Sequence, residues 1–94
     1  MAFFTYIVAS RRNGTLYIGS TDKLSRRAWE HREKLRPGFT ARYDVHILVW
    51  YEMFETRGGA FRRERQMKKW NRAWKLELIE RFNPKWEDLG PEVG

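Results

Sequence analysis

The chain has 94 residues with 41% hydrophobic and 16% aromatic content, enough for one small domain with a packed core and too apolar for a disordered segment. It carries a formal net charge of +7, which favours a polyanionic partner, nucleic acid first and an anionic membrane surface second. It contains no cysteine and only two histidines, His31 and His46, so disulfides, thiol catalysis, cysteine-ligated zinc and a histidine-rich metal site are excluded. Any metal is then a hard, oxygen-bound ion such as Mg²⁺. The opening MAFFTYIVAS lacks a basic leader and runs at once into Arg11-Arg12, so it reads as a strand and not a signal peptide. No apolar run reaches membrane-spanning length, and the cytoplasm is the expected compartment.

Phe3 to Ser10 is rich in aromatic and β-branched residues and is predicted as the first strand. Asn13-Gly14 marks a hairpin, because both residues tolerate positive φ, and Thr15 to Ser20 is the second strand. A four-residue loop from Arg11 to Gly14 sets Val8 opposite Tyr17 and leaves Tyr6 and Tyr17 on one face. A two-residue loop would keep that face but separate the tyrosines further, and an odd loop or a bulge would split them. Thr21 or Asp22 is expected to cap a helix over Lys23 to Leu35, with Leu24, Ala28 and Leu35 as its buried stripe and Trp29 to one side. Arg27 and His31 stand four apart and share a face beside that stripe. Pro37-Gly38 ends the helix, and Phe39 to Asp44 is a connector with room for one irregular turn.

Val45 to Phe54 is the third strand. Its nearly continuous apolar run, Ile47 to Tyr51, predicts a strand placed centrally or against helices on both faces. Thr56 caps the next helix, weakened in its first turn by Gly58-Gly59, and helical spacing from Ala60 to Phe82 predicts a bend or break near Trp70 to Arg72. Asn83-Pro84 stops it. Trp86 and Leu89 should fold the tail back on the domain, with a loose end from Pro91. The expected domain therefore spans 1–94 with an ordered core over about 3–89. The order ββαβα(α) defines an α/β class with a three-stranded, mostly antiparallel sheet flanked by helices.

Six residues fit poorly in a purely structural account. Glu64 lies on or near the apolar stripe of its helix amid Arg62, Arg63, Arg65, Lys68 and Lys69. On position alone it is a salt-bridge hub; a carboxylate among phosphate-attracting cations is also how a Mg²⁺ ligand is placed. Arg27 offers a planar guanidinium to a phosphate. His31, Tyr6 and Tyr17 are commonplace singly. Gly19 inside a strand implies close approach by another group.

Phe4-Thr5-Tyr6, then Tyr17-Ile18-Gly19, then Arg27 and His31 in LSRRAWEHRE, then Glu64 in FRRERQMKKW, closely resemble the GIY-YIG nuclease superfamily. The second half-motif stands complete, and Phe4-Thr5 replaces Gly-Ile in the first. The resemblance reaches to about Leu89 and is nearest to the small stand-alone bacterial branch, related to the N-terminal module of the excinuclease C subunit and to homing endonucleases. It implies metal-dependent hydrolysis of a phosphodiester, with DNA favoured over RNA, a monomer, and DNA repair only by analogy. On that basis Glu64 holds one Mg²⁺ or Mn²⁺, Arg27 binds the phosphate, and Tyr17 or Tyr6 positions or deprotonates water, with His31 the competing proton acceptor. Free tyrosine titrates near pH 10, so neighbouring cations would have to lower that value. Many family nucleases carry a distal Pro-x-aromatic-Asn; here Glu87 follows Trp86, which either lowers activity or shifts the support to Asn71 or Asn83. Arg12, Arg63, Lys68, Lys69 and Arg72 are the expected phosphate contacts.

The alternative is a non-catalytic basic module. In it Arg62, Arg63, Lys68, Lys69 and Arg72 grip phosphates while Trp70, Trp74 or Tyr43 stack on bases. Core packing is the competing role for the tryptophans, more so for Trp74 than for Trp70. A protein-interaction scaffold fits less well, since it has no need of Tyr6, Tyr17, Arg27, His31 and Glu64 together.

Overall fold

A computed structural model describes residues 1–35 and 38–93. The elements in order are β1 (Phe3–Ala9), β2 (Leu16–Thr21), α1 (Leu24–Arg32), α2 (Phe39–Arg42), β3 (Ile47–Phe54), α3 (Arg57–Lys68), α4 (Arg72–Phe82) and α5 (Gly90–Val93). The sheet is antiparallel throughout, in the order β2-β1-β3. The α/β architecture of three antiparallel strands and flanking helices is as expected.

The hairpin adopts the longer loop. Val8 faces Tyr17, and Ser10 N–H donates to the Thr15 carbonyl at 3.0 Å, leaving Arg11 to Gly14 as the connection. Within this loop Asn13 takes the left-handed conformation, with φ 57°. Gly14 is required for space instead: a Cβ there would lie 2.3 Å from Ser10 Oγ, which is itself engaged by the Thr15 N–H at 2.9 Å.

Strand alternation then sorts the side chains into two layers. Ile7, Ala9, Ile18, Val49 and Trp50 pack with Met67 of α3, Ile79 of α4 and Trp86 on one face. Tyr6, Val8 and Leu48 pack with Leu24 and Ala28 of α1 and with Leu89 on the other, where Tyr17 and Tyr51 join them. β3 alternates between the two layers, and a bulge puts the consecutive residues Val49 and Trp50 in the same one: Ile7 pairs with Trp50 and Val8 with Leu48, so Val49 is the extra residue. Covering on both faces explains the continuous apolar run of β3, but the strand is not central; β1 is. The outer edge of β3 is closed by the chain's tail. Leu89 N–H donates to the Leu48 carbonyl at 2.8 Å, and Asn83 Nδ2 donates to the Val49 carbonyl at 3.2 Å. This pairing covers the sheet edge at Leu48 and Val49. The tail is also more ordered than expected, since α5 brings Val93 against the α1 layer.

α1 is shorter than predicted. Neither Thr21 nor Asp22 caps it; Lys23 occupies the N-cap without a side-chain bond, and Thr21 Oγ1 accepts from the Lys23 N–H at 3.0 Å. At the other end Leu35 N–H reaches the Glu30 carbonyl at 2.9 Å and Lys34 N–H the His31 carbonyl at 3.2 Å, with Lys34 at φ 57°. This is a Schellman ending with lysine in the left-handed position. It takes Leu35 out of helical phase, so Leu35 is exposed and His31 completes the buried stripe with Leu24 and Ala28. Pro37, expected to end this helix, lies outside the described residues.

The later caps agree with the expected boundaries. Thr56 Oγ1 accepts from Gly59 N–H at 3.0 Å, and Asn71 Oδ1 accepts from Trp74 N–H at 3.0 Å after a break between α3 and α4.

Candidate active site

The site starts from Gly19. It is the β2 partner of Tyr6, and a Cβ on it would lie 2.6 Å from the Tyr6 hydroxyl and 2.7 Å from Cζ. The missing side chain lets the Tyr6 ring lie across β2 toward α1. There its hydroxyl meets His31 Nε2 at 3.2 Å, with both residues 4% exposed. Tyr17 comes from the same face of the hairpin, and its ring centroid stands 5.9 Å from that of His31. The two phenols of the hairpin therefore flank one buried imidazole. Tyr17 alone reaches the surface, where it lines a groove of about 300 Å³ with Phe39, Lys68 and Lys75.

Arg27 precedes His31 by one helical turn and is about one-third exposed. Its guanidinium is not idle: NH1 donates to Glu30 Oε1 at 2.6 Å, while Arg26 Nε donates to Oε2 of the same carboxylate at 3.1 Å. The hydrogen bond from Arg27, reinforced by Arg26, holds the Glu30 carboxyl below its usual range. Glu30 was not among the expected site residues, although its spacing after Arg26 and Arg27 is the ordinary signal of a helical ion pair.

Glu64 sits in α3, which packs across the opposite sheet face from Tyr17. The five residues therefore do not share one face. The link runs around the exposed edge of β2: Lys68 Nζ donates to Glu64 Oε2 at 2.7 Å and lies 5.9 Å from the centre of the Tyr17 ring. The Glu64 side chain is only 12% exposed, a carboxylate balanced by one cation. Among the described residues no cluster of His, Asp or Glu forms a ready-made metal cage. A single carboxylate still suits Mg²⁺, which commonly takes one or two protein oxygens and completes its shell with water and substrate phosphate. Glu64 is compatible with that role.

The expected phosphate contacts divide. Arg72 NH2 donates to the carbonyls of Asn13 at 2.7 Å and Gly14 at 2.6 Å, so it clamps the hairpin loop to the start of α4. Arg63 bonds Glu52 at 3.1 Å and Gln66 at 2.9 Å, and Arg12 meets Glu80 at 3.4 Å. Lys68 is held by Glu64, whereas Lys69 makes no ion pair among the described residues. The two candidate supporting asparagines are structural: Asn71 caps α4, and buried Asn83 bonds Val49 and both backbone groups of Glu87.

The GIY-YIG catalytic domain matches residues 2–77, a span that includes Tyr6, Tyr17, Gly19, Arg27, His31 and Glu64. The chain belongs to the GIY-YIG family. Membership implies a nuclease acting on nucleic acid, in a family that generally uses a divalent metal ion. A UPF0213 protein of Staphylococcus haemolyticus is 34% identical over 77 residues, covering 82% of this chain and 93% of that protein. A UPF0213 protein of Staphylococcus aureus is 38% identical over 77 residues, covering 81% and 92%. The solution NMR structure of a UPF0213 protein from Bacillus halodurans superposes with a TM-score of 0.57 at 25% identity, covering 94% of this chain and 93% of that one. Matches over almost the whole of each relative place this chain beside the small GIY-YIG proteins. Among the described residues no helix is long and apolar enough to cross a membrane.

Proposed function

We propose that this chain is a metal-dependent endonuclease that hydrolyses phosphodiester bonds of DNA, working as a single-domain monomer in the cytoplasm. The observation that carries this reading is the buried Tyr6–His31 contact beside Tyr17. A hairpin stabilised only by packing has no need of an imidazole between two phenols, nor of a glycine that makes room for one of them.

One Mg²⁺ or Mn²⁺ held by Glu64 would stabilise the charge developing on the scissile phosphate and the leaving oxygen. Arg27 binds the phosphate through its planar guanidinium, and Glu30 keeps that side chain extended along α1 until a phosphate competes for it. Tyr17, the phenol that reaches the groove, orients the attacking water. Tyr6 is buried with its hydroxyl on Nε2, so it positions His31 beside Tyr17. Lys68 adds a cation beside Tyr17, and Arg12 extends the basic surface. Phosphate contacts of this kind make binding fall steeply with salt.

The test is cleavage of supercoiled plasmid and of single-stranded oligonucleotides with Mg²⁺, Mn²⁺ or EDTA. The expected result is nicking that requires the metal and drops about 10²–10³-fold in Arg27→Ala, the scale for losing one donor to a developing oxyanion. Glu64→Ala should be inactive. Wild-type cleavage no greater than that of Glu64→Ala overturns the enzyme reading. The existing Glu64–Lys68 ion pair favours the second reading, a non-catalytic binding module, which predicts salt-dependent DNA binding without cleavage under any of these conditions.

A further inference from the structure

We infer that the outer face of the bend between α3 and α4 is a separate binding site for a short run of unpaired nucleotides. The site follows from where α3 stops. Ala60 and Met67 bury one stripe of this helix, so Phe61, Arg62, Arg65 and Lys69 project along its other side. The break before Asn71 then turns α4 so that Trp70 and Trp74 close the end of the same groove, which has a volume of about 680 Å³. That is within the ~300–1,000 Å³ range of ligand-sized clefts.

The aromatic rings there are presented outward. Trp74 is 56% and Phe61 50% exposed, which reverses the expectation that core packing suits Trp74 better than Trp70. Trp70 is the half-buried member, packed against the core and crossed edge-on by Trp74 with centroids 6.0 Å apart. The groove gathers three cations that have no carboxylate partner among the described residues. Arg63 and Lys68 are matched by Glu52 and Glu64, whereas Arg62, Arg65 and Lys69 make no ion pair among the described residues. Among the described residues no carboxylate lines this groove, and Glu77 in the adjoining hollow is neutralised by Arg81 at 2.9 Å. Arg65 rests 5.7 Å from the Phe61 ring centre, a cation already disposed over a flat apolar face.

Unneutralised cations interleaved with exposed rings match a polyanion whose bases are free to stack. A duplex supplies the phosphates but hides its base faces, leaving Phe61 and Trp74 without a role. A second copy of this chain carries the same charge of +7 and is repelled. The groove lies on the α3 stripe away from Glu64, so binding there does not depend on the proposed hydrolysis.

The test is fluorescence anisotropy in EDTA with labelled oligo-dT, oligo-rU, a DNA duplex and poly-glutamate. Trp74→Ala should weaken single-strand binding about 5–150-fold, the equivalent of one lost base–aromatic stack, with duplex binding unchanged. Trp74→Phe should retain most of the affinity. Replacing Arg62, Arg65 and Lys69 with glutamine should reduce the salt slope by about 0.7 per cation removed. The dT and rU arms decide between DNA and RNA. Wild-type affinity in Trp74→Ala overturns the inference, as does equal loss on single strand and duplex or tighter binding of poly-glutamate than of either oligonucleotide. Because the assay excludes cleavage, an inactive protein that still binds through Trp74 leaves this inference standing, and an active protein indifferent to Trp74→Ala removes it alone.

Discussion

Gly19→Ala isolates the link between hairpin and candidate site. The added methyl would lie 2.6 Å from the Tyr6 hydroxyl and 2.7 Å from Cζ, roughly 1 Å inside the ~3.5–4.0 Å separation of relaxed carbon contacts. Tyr6 has little freedom to yield, being 4% exposed and tied to His31 Nε2 at 3.2 Å. Overpacking of this kind costs about 1–3 kcal/mol, and losing the buried hydrogen bond a further ~0.5–1.5 kcal/mol. The lower backbone entropy of alanine in the unfolded chain offsets about 0.4–1 kcal/mol. The net expectation is a loss of about 1–3 kcal/mol in urea unfolding. In a Tyr6→Phe background, which removes the nearest atom and the hydrogen bond, the same substitution should cost less by at least ~0.5 kcal/mol, the scale of coupling between touching residues. If cleavage is observed for the wild type, Gly19→Ala should lower it about 10²-fold through a displacement of the order of 1 Å. Backbone entropy acting alone predicts the opposite sign of stability change. A Gly19→Ala protein as stable as wild type, or more so, refutes the close-approach reasoning.

Glu30 has a depressed folded-state pKa, so its stabilising contribution is fully present above its ordinary value of 4.5 and is lost as pH falls through the lower folded value. A carboxyl NMR titration should show a midpoint below 4.5 that moves upward in Arg27→Gln. Arg72→Ala should release the hairpin loop and cost about 1 kcal/mol in chemical denaturation, with no change in the salt dependence of DNA binding. Asn83→Ala removes buried bonds to Val49 and Glu87 and should cost about 2–4 kcal/mol, detectable as a lower denaturation midpoint with an unchanged slope.

Local chemistry was legible in the linear chain wherever neighbours decide it. Alternation and the Asn13-Gly14 turn indicated the hairpin and its register, Thr56 marked the start of α3, and the Tyr17-Ile18-Gly19 motif with Arg27, His31 and Glu64 pointed to the family. These features depend on residues within a few positions of one another, or on residue identities alone. Other features depend on partners distant in sequence. The apolar run of β3 reports that both faces are covered, but which strand lies beside it is a matter of the hydrogen-bonding direction, and there the tail from Asn83 to Leu89 closes the edge. Arg72 reads in the sequence as a phosphate contact, but the fold brings the hairpin carbonyls to it across 58 positions. Trp74 follows helical spacing, but the break at Asn71 turns it outward and leaves Trp70 against the core. Glu64 shares its stripe with core residues, yet its helix lies on the sheet face opposite Tyr17. Periodicity indicates which side of a helix or strand is buried. The choice of partner for that side, and hence which cations remain unneutralised and which tyrosine meets solvent, arises only when the sheet has closed and the helices have packed on its two faces.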